Sequence, residues 1–247
     1  ENFSHSTRKR AYIPNVQAAL GLLSEEERQE WVRTEVPKIR AAVQEYHAIL
    51  YFQDEANVSL TALLAKTWAP RGRTPKQTVT GKRGGVAAMS AITSRGRLIF
   101  RLHEKRIASP EVIDFLAQML EHHRRRHLVV VMDQAPPHVS KATLAFIESQ
   151  CRLHVFHLPK YSPDWNPDEK VWNHLKHQEL KGHQAKTKDE LSQLTHQKLT
   201  SMSHDPELLR RRGPVAESHR TDRSAIGSGK FKKLLGFDRP HIGTEHA

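Results

Sequence analysis

Cysteine is almost missing from this chain: Cys151 is the only one in 247 residues. A lone cysteine can form neither an intramolecular disulfide nor a paired-cysteine zinc site, so a core must hold the fold together and a reducing compartment suits it. No apolar run approaches the ~20 residues that span a bilayer, and the N-terminus carries no hydrophobic segment of the signal-peptide kind. A soluble, unexported protein without membrane partners is therefore expected. Negative charge is scarce too. Asp and Glu number 27 against 39 Lys and Arg, giving a net charge of +12 and a pI near 10.0. That excess points to a polyanionic partner, nucleic acid first, because cations that neutralise phosphates release condensed counterions and gain affinity. Apolar residues nevertheless reach 37%, enough for one real core and one main domain with flanking segments.

What is present is organised around residues 127–140, HLVVVMDQAPPHVS. Leu128 to Met132 form a short apolar run with three valines at its centre, which reads as a buried strand of an α/β sheet. The run stops at Asp133, and Pro136 and Pro137 prevent it from continuing. Open α/β sheets place their ligands at the carboxyl ends of strands, so Asp133 is a candidate site residue. Asp is equally a favoured turn residue, and position alone leaves both roles open.

A capping-box spacing, Ser24 to Glu27, predicts a helix from about Ser24 to Val36, with Pro37 opening a second one that reaches about Tyr46. His47 to Gln53 reads as a strand that ends on Asp54, with Glu55 beside it. Residues 59–83 read as an irregular basic excursion. Two strands, Gly84 to Thr93 and Arg97 to His103, follow around a hairpin-like connection. Helical spacing predicts a helix over Pro110 to His123, and another over Lys141 to Gln150 with Leu144 and Ile147 inward. Arg152 to Leu158 reads as a last strand. Asn166-Pro167-Asp168-Glu169 opens a helix to about Leu180, with Val171, Trp172 and Leu175 buried, and a further helix is expected over Lys188 to Met202. The expected organisation is a linker (1–14), a helical lead-in (15–46), a catalytic domain (47–205) and a basic, loosely ordered tail (206–247).

Asp54, Asp133 and Glu169 thus fall at two strand ends and a helix start. Three carboxylates in a basic protein suggest a cage for hard divalent ions, since Mg²⁺ takes oxygen ligands and phosphodiester chemistry uses two such ions about 3.5–4 Å apart. Asn166 and Glu169 also have capping-box spacing, which gives Glu169 a structural role as well. Strand alternation points Asp54 and Glu55 to opposite faces, so only one of them can face the site.

FQDEA at Phe52 to Ala56, TWAPRGRTP at Thr67 to Pro75, VVVMDQAPPH at Val129 to His138 and YSPDWNPDEKVWNHLK at Tyr161 to Lys176 resemble, in order, the catalytic half of an IS630-type transposase of the Tc1/mariner superfamily. The resemblance covers roughly residues 1–200. It implies an α/β, RNase H-like fold with a central mixed sheet flanked by helices. It places the catalytic and metal-binding triad on Asp54, Asp133 and Glu169, with 35 residues between the last two. It further implies two Mg²⁺ ions, with Mn²⁺ able to substitute, and cleavage of DNA followed by joining of the 3′-hydroxyl to target DNA. Element ends and target DNA would be the partners, a homodimer the DNA-bound form, and the bacterial cytoplasm beside the nucleoid the location. Arg71, Arg73, Lys76, His138, Lys141 and Lys176 are candidate DNA contacts; His138 could instead orient a group beside the metal ligands or serve only in packing or at the surface.

Two positions depart from the family pattern: Gln134 stands where Asn is usual, and Asp168 where an apolar residue is usual. Gln134 could still bring an amide near the metals, whereas Asp168 could perturb the site or face solvent. The helix-turn-helix modules that precede this half in family members are missing from the sequence, which suits an isolated catalytic domain. A non-catalytic DNA-binding relic and an RNase H-like nuclease without strand transfer are the rival functions.

Overall fold

The run Leu128–Met132 does form a strand, β4, and all five residues are buried because helices cover both faces of the sheet. The computed structural model describes residues 24–63, 83–160, 162 and 165–212. In chain order the elements are α1 (Glu25–Glu45), β1 (Ile49–Ser59), β2 (Gly85–Thr93), β3 (Leu98–His103) and α2 (Ser109–His122), then β4 (Leu128–Met132), α3 (Lys141–Ser149), β5 (Leu153–His157), α4 (Glu169–His174), α5 (Lys188–Ser203) and α6 (Pro206–Arg212). A π-type turn, Leu175–Glu179, prolongs α4. The expected order of three strands, helix, strand, helix, strand is the one observed.

The strands make one mixed sheet in the order β3-β2-β1-β4-β5, with β1 antiparallel to β2 and parallel to β4. Alternation along β1 divides the core in two. Leu50, Phe52, Ala56 and Val58 pack with Val129 and Val131 against apolar residues of α1, α4, α5 and α6. Tyr51 packs with Val130 and Met132 against Val112, Phe115, Leu116 and Met119 of α2. This is the helix-sheet-helix layering that a near-continuous apolar central strand demands.

Several local expectations need correction. The capping box at Ser24 is present, with Ser24 N–H donating to Glu27 Oε2 at 2.8 Å and Glu27 N–H to Ser24 Oγ at 3.2 Å. One continuous helix follows it, with Pro37 inside. An interior proline costs the helix a hydrogen bond, but Val36 and Ile39 on either side of it are buried in the core, and that packing keeps the two halves joined. In α3 Ile147 packs against the core as expected and Thr143 is fully buried, but Leu144 is exposed. The first seven residues assigned to the tail also differ. Residues 206–212 form α6, with Leu209 in the core, and Gly96 (φ +77°) gives α6 room, because a Cβ there would lie 2.2 Å from the Pro206 carbonyl oxygen. Residues 1–23 and 213–247, and with them the expected linker and the rest of the tail, lie outside the described residues.

β1 does not stop at Asp54, as the apolar pattern suggested, but runs to Ser59. Its pairing with β4 ends at Phe52↔Val131, whereas its pairing with β2 continues to Ser59↔Gly85. The longer antiparallel partner carries the strand onward. Extending the β1–β4 register by two residues brings Asp54 level with Asp133 on the same face, and that arrangement builds the site described next.

Candidate active site

Asp54, Asp133 and Glu169 line one cavity of about 440 Å³, together with Gln134, Lys160, Ser162 and Asn166. Each reaches it from a different element. Asp54 projects from the middle of β1, where it stands opposite Ser90 of β2. Asp133 follows β4 directly. Glu169 begins α4, and Asn166 fixes that helix start: its Nδ2 donates to the Gln53 carbonyl at 2.7 Å, while its Oδ1 accepts from the Asp168 N–H at 3.1 Å. The expected capping box between Asn166 and Glu169 is therefore not formed. The Asn166 side chain instead ties α4 to the residue preceding Asp54, which carries Glu169 to the cleft.

The electrostatics of the three carboxylates differ. Asp54 is largely buried and its Oδ2 has no hydrogen-bond partner. Burial first, then the charges of Glu169 and Asp133, push its pKa up to about 8. Asp133 is half exposed; burial works upward on it, but hydrogen bonds from His138 and the Ala135 N–H prevail and hold its carboxyl below the ordinary range. Ala135 N–H donates to Asp133 Oδ1 at 2.9 Å, so Asp133 also makes the Asx turn that its residue type favours.

Oxygen donors of this kind suit a hard divalent cation, and the unpartnered Oδ2 of Asp54 beside like charges is the atom that such a cation would satisfy. The carboxylates share a cavity and not a single point: among the described residues, no three His, Cys, Asp or Glu side chains close on one position. Mutual repulsion keeps bare carboxylates apart, and a pair of ions distributes its ligands so that no ion needs three side chains. The donor set fits on those terms.

Asp168 does not face solvent. It is fully buried, accepts from Ser90 Oγ at 2.6 Å, and leaves Oδ1 without a partner. Burial, then the neighbouring Asp54, raises its pKa well above the ordinary value. Gln134 borders the cavity, but its amide donates to the Leu158 carbonyl at 2.9 Å and thereby joins the segments after β4 and β5.

Of the candidate DNA contacts, Lys141 is exposed at the start of α3 and Lys176 is half-buried in the π-type turn. Arg71, Arg73 and Lys76 lie outside the described residues, as do Trp68 and most of the basic excursion. His138 is a correction. Its side chain is 1% exposed and held between Asp133 and Glu55, out of reach of a duplex. Burial works against a charge on it, but hydrogen bonds to Asp133 and Glu55 outweigh burial and raise its pKa to about 9. Sequence reasoning missed Lys160 and Ser162 as cleft residues, since both sit in a turn with no periodicity to place them.

A family model described as DDE superfamily endonuclease matches residues 49–192, a span that contains all three carboxylates. Comparison with curated protein sequences gives no match. Among solved structures, the Mos1 transposase paired-end complex with left transposon end aligns with a TM-score of 0.60 at 15% identity, covering 87% of this chain and 63% of that one. The Mos1 strand transfer complex gives 0.55 at 16% identity over 81% and 64% of the two chains. The catalytic domain of Mos1 mariner transposase gives 0.51 at 12%, over 77% and 91%. At these identities the likeness is one of fold, an RNase H-like mixed sheet flanked by helices. The chain spans less than two thirds of the paired-end-complex transposase.

Proposed function

This chain belongs to the DDE superfamily of endonucleases, and from that premise we propose that it is the catalytic domain of a DNA transposase of the Tc1/mariner type, nearest the IS630 group. It cleaves DNA and joins the freed 3′-hydroxyl to target DNA. One observation carries this reading: Asp54, Asp133 and Glu169, distant in sequence, line a single cleft inside the span matched by the family. These three are assigned as the ligands of two magnesium ions, with manganese a competent substitute.

Divalent ions bound there supply Lewis-acid polarisation of the phosphodiester. The remaining work belongs to the chain. Asp54 projects from a strand paired on both sides of the sheet, which gives it a fixed origin. Asp133 is held through Oδ1 by the Ala135 N–H and by His138. Asn166 sets the separation of Glu169 from β1. Lys160, on the cleft wall, offers a cation to a phosphate of the bound strand. Lys141 and Lys176, with Arg71, Arg73 and Lys76, are proposed to extend that contact along the backbone. The net charge of +12 supports such binding.

Action as a homodimer on paired DNA ends is part of the proposal, supported by likeness to a chain solved in a paired-end complex. The bacterial cytoplasm beside the nucleoid is the proposed location. No helix among the described residues is long and apolar enough to cross a membrane.

The test is incubation of the protein with a supercoiled plasmid carrying element ends, with Mg²⁺ or EDTA, alongside Asp133→Ala. Magnesium-dependent cutting and joined products, both absent from the variant, are expected. DNA retention by both proteins without cutting under any metal would overturn the catalytic reading in favour of a DNA-binding relic. Nicks that never yield joined products would reduce the protein to a nuclease.

A further inference from the structure

His138 and Glu55 are buried or half-buried groups to which the proposed chemistry gives no task of their own. Alternation along β1 sends Glu55 to the face opposite Asp54, where it borders a second cavity of about 590 Å³ with Pro136 and Pro137. The chain leaving β4 turns back toward that face. His138 N–H donates to the Ala135 carbonyl at 2.9 Å, Thr143 Oγ1 donates to the Pro137 carbonyl at 2.7 Å, and Ser140 Oγ accepts from Thr143 N–H at 3.2 Å as the cap of α3. These bonds fix the backbone on both sides of His138. Its ring then has a carboxylate oxygen on each nitrogen: Nδ1 lies 2.6 Å from Asp133 Oδ1 and Nε2 lies 2.9 Å from Glu55 Oε1. A ring held at both ends has one orientation.

We infer that Glu55 and His138 are positioning residues, with Glu55 locking the imidazole and the imidazole anchoring Asp133 by Oδ1, so that Oδ2 is presented to a cation in a fixed direction. The side chain of Asp133 is half exposed and follows the end of its strand, so without this anchor only the Ala135 N–H would hold Oδ1. Ligand carboxylates elsewhere are oriented by such outer partners, whose loss typically costs about 10–100-fold in metal affinity. Here the partner chain passes from one face of the sheet to the other around the end of β4, which makes the residue after the first aspartate a support for the second. The inference deepens the proposed function and rests on the assignment of Asp133 as a ligand.

The experiment is a Mn²⁺ titration of the whole chain followed by electron paramagnetic resonance, on the wild type, Asp133→Ala, Glu55→Ala and Glu55→Gln, with thermal melting of each. Glu55→Ala should weaken Mn²⁺ binding about 10–100-fold. Glu55→Gln keeps an oxygen that can accept from His138 and should recover most of that loss, which a purely structural or charge role would not allow. In DNA cleavage, the Mn²⁺ concentration for half-maximal rate should rise by the same factor in Glu55→Ala, with the rate at saturating Mn²⁺ little changed. Should the alanine variant fail to fold, Glu55→Asp, one methylene short of His138, provides the same comparison. Binding that vanishes in Asp133→Ala but is unaltered in Glu55→Ala overturns the inference and leaves the proposed function standing. A folded wild type that takes up no Mn²⁺ overturns both.

Discussion

Two residues three apart on β1 bury polar groups in opposite ways. Tyr51 lies under α2, and its hydroxyl meets His123 Nε2 at 2.8 Å. Burial drives the tyrosine pKa up to about 12 and that of His123 down to about 4, so both are neutral at pH 7 and each satisfies the other. Asp54, on the other face, has an oxygen with no partner, and the fully buried Asp168 beside it has another. A buried polar group without a partner costs roughly 1–3 kcal/mol. The Tyr51–His123 pair satisfies its buried polar atoms mutually, whereas Asp54 and Asp168 keep oxygen atoms unpartnered at a cost in stability.

The largest effect that would sharpen this contrast is expected from Asp54→Asn. Cleavage should fall on the order of 10⁴-fold, about 5 kcal/mol of transition-state stabilisation, while the melting temperature stays level or rises. Loss of activity through unfolding would break the comparison. On the opposite face, Phe115→Ala should lower unfolding free energy by about 3–5 kcal/mol in urea titration, since Phe115 is wholly buried, while the protein that remains folded binds Mn²⁺ normally.

The Tyr51–His123 pair predicts a smaller, pH-dependent term. The folded pKa of His123 lies below its unfolded value, so the pair's contribution is complete above about pH 6.5 and is lost as pH falls toward 4. After allowance for solvent screening the loss is on the order of 1–2 kcal/mol, and His123→Asn should flatten that part of the stability curve measured by urea unfolding. The smallest expected effect is from Asp168→Asn. It removes a buried carboxyl whose Oδ1 is unpartnered but keeps an acceptor for Ser90, and should raise stability by about 1 kcal/mol. A destabilised variant would instead give Asp168 a supporting role.

The order of strands and helices along the chain could be read in advance because these elements announce themselves locally. β4 is a bare apolar run, and Val112, Phe115, Leu116 and Met119 mark α2 by spacing alone. What could not be read depends on partners remote in sequence. β1 continues through Glu55 to Ser59 because β2 pairs with it there, a fact that its mixed polar residues do not disclose. Pro37 signals a helix start by type, yet burial of Val36 and Ile39 decides for one helix. The three carboxylates could be singled out from motif order, and their common cavity follows from the parallel β1–β4 register. The Asn166 tie to Gln53 and the Glu55–His138–Asp133 chain could not be foreseen. Each joins residues 83 or more positions apart, or turns on how a short loop folds back.

Anomalous diffraction from crystals grown with Mn²⁺ tests the central claim most directly. Manganese peaks within coordination distance of carboxylate oxygens of Asp54, Asp133 and Glu169 are the predicted result. Saturating Mn²⁺ with no peak in that cleft, while the three side chains are ordered, would contradict it.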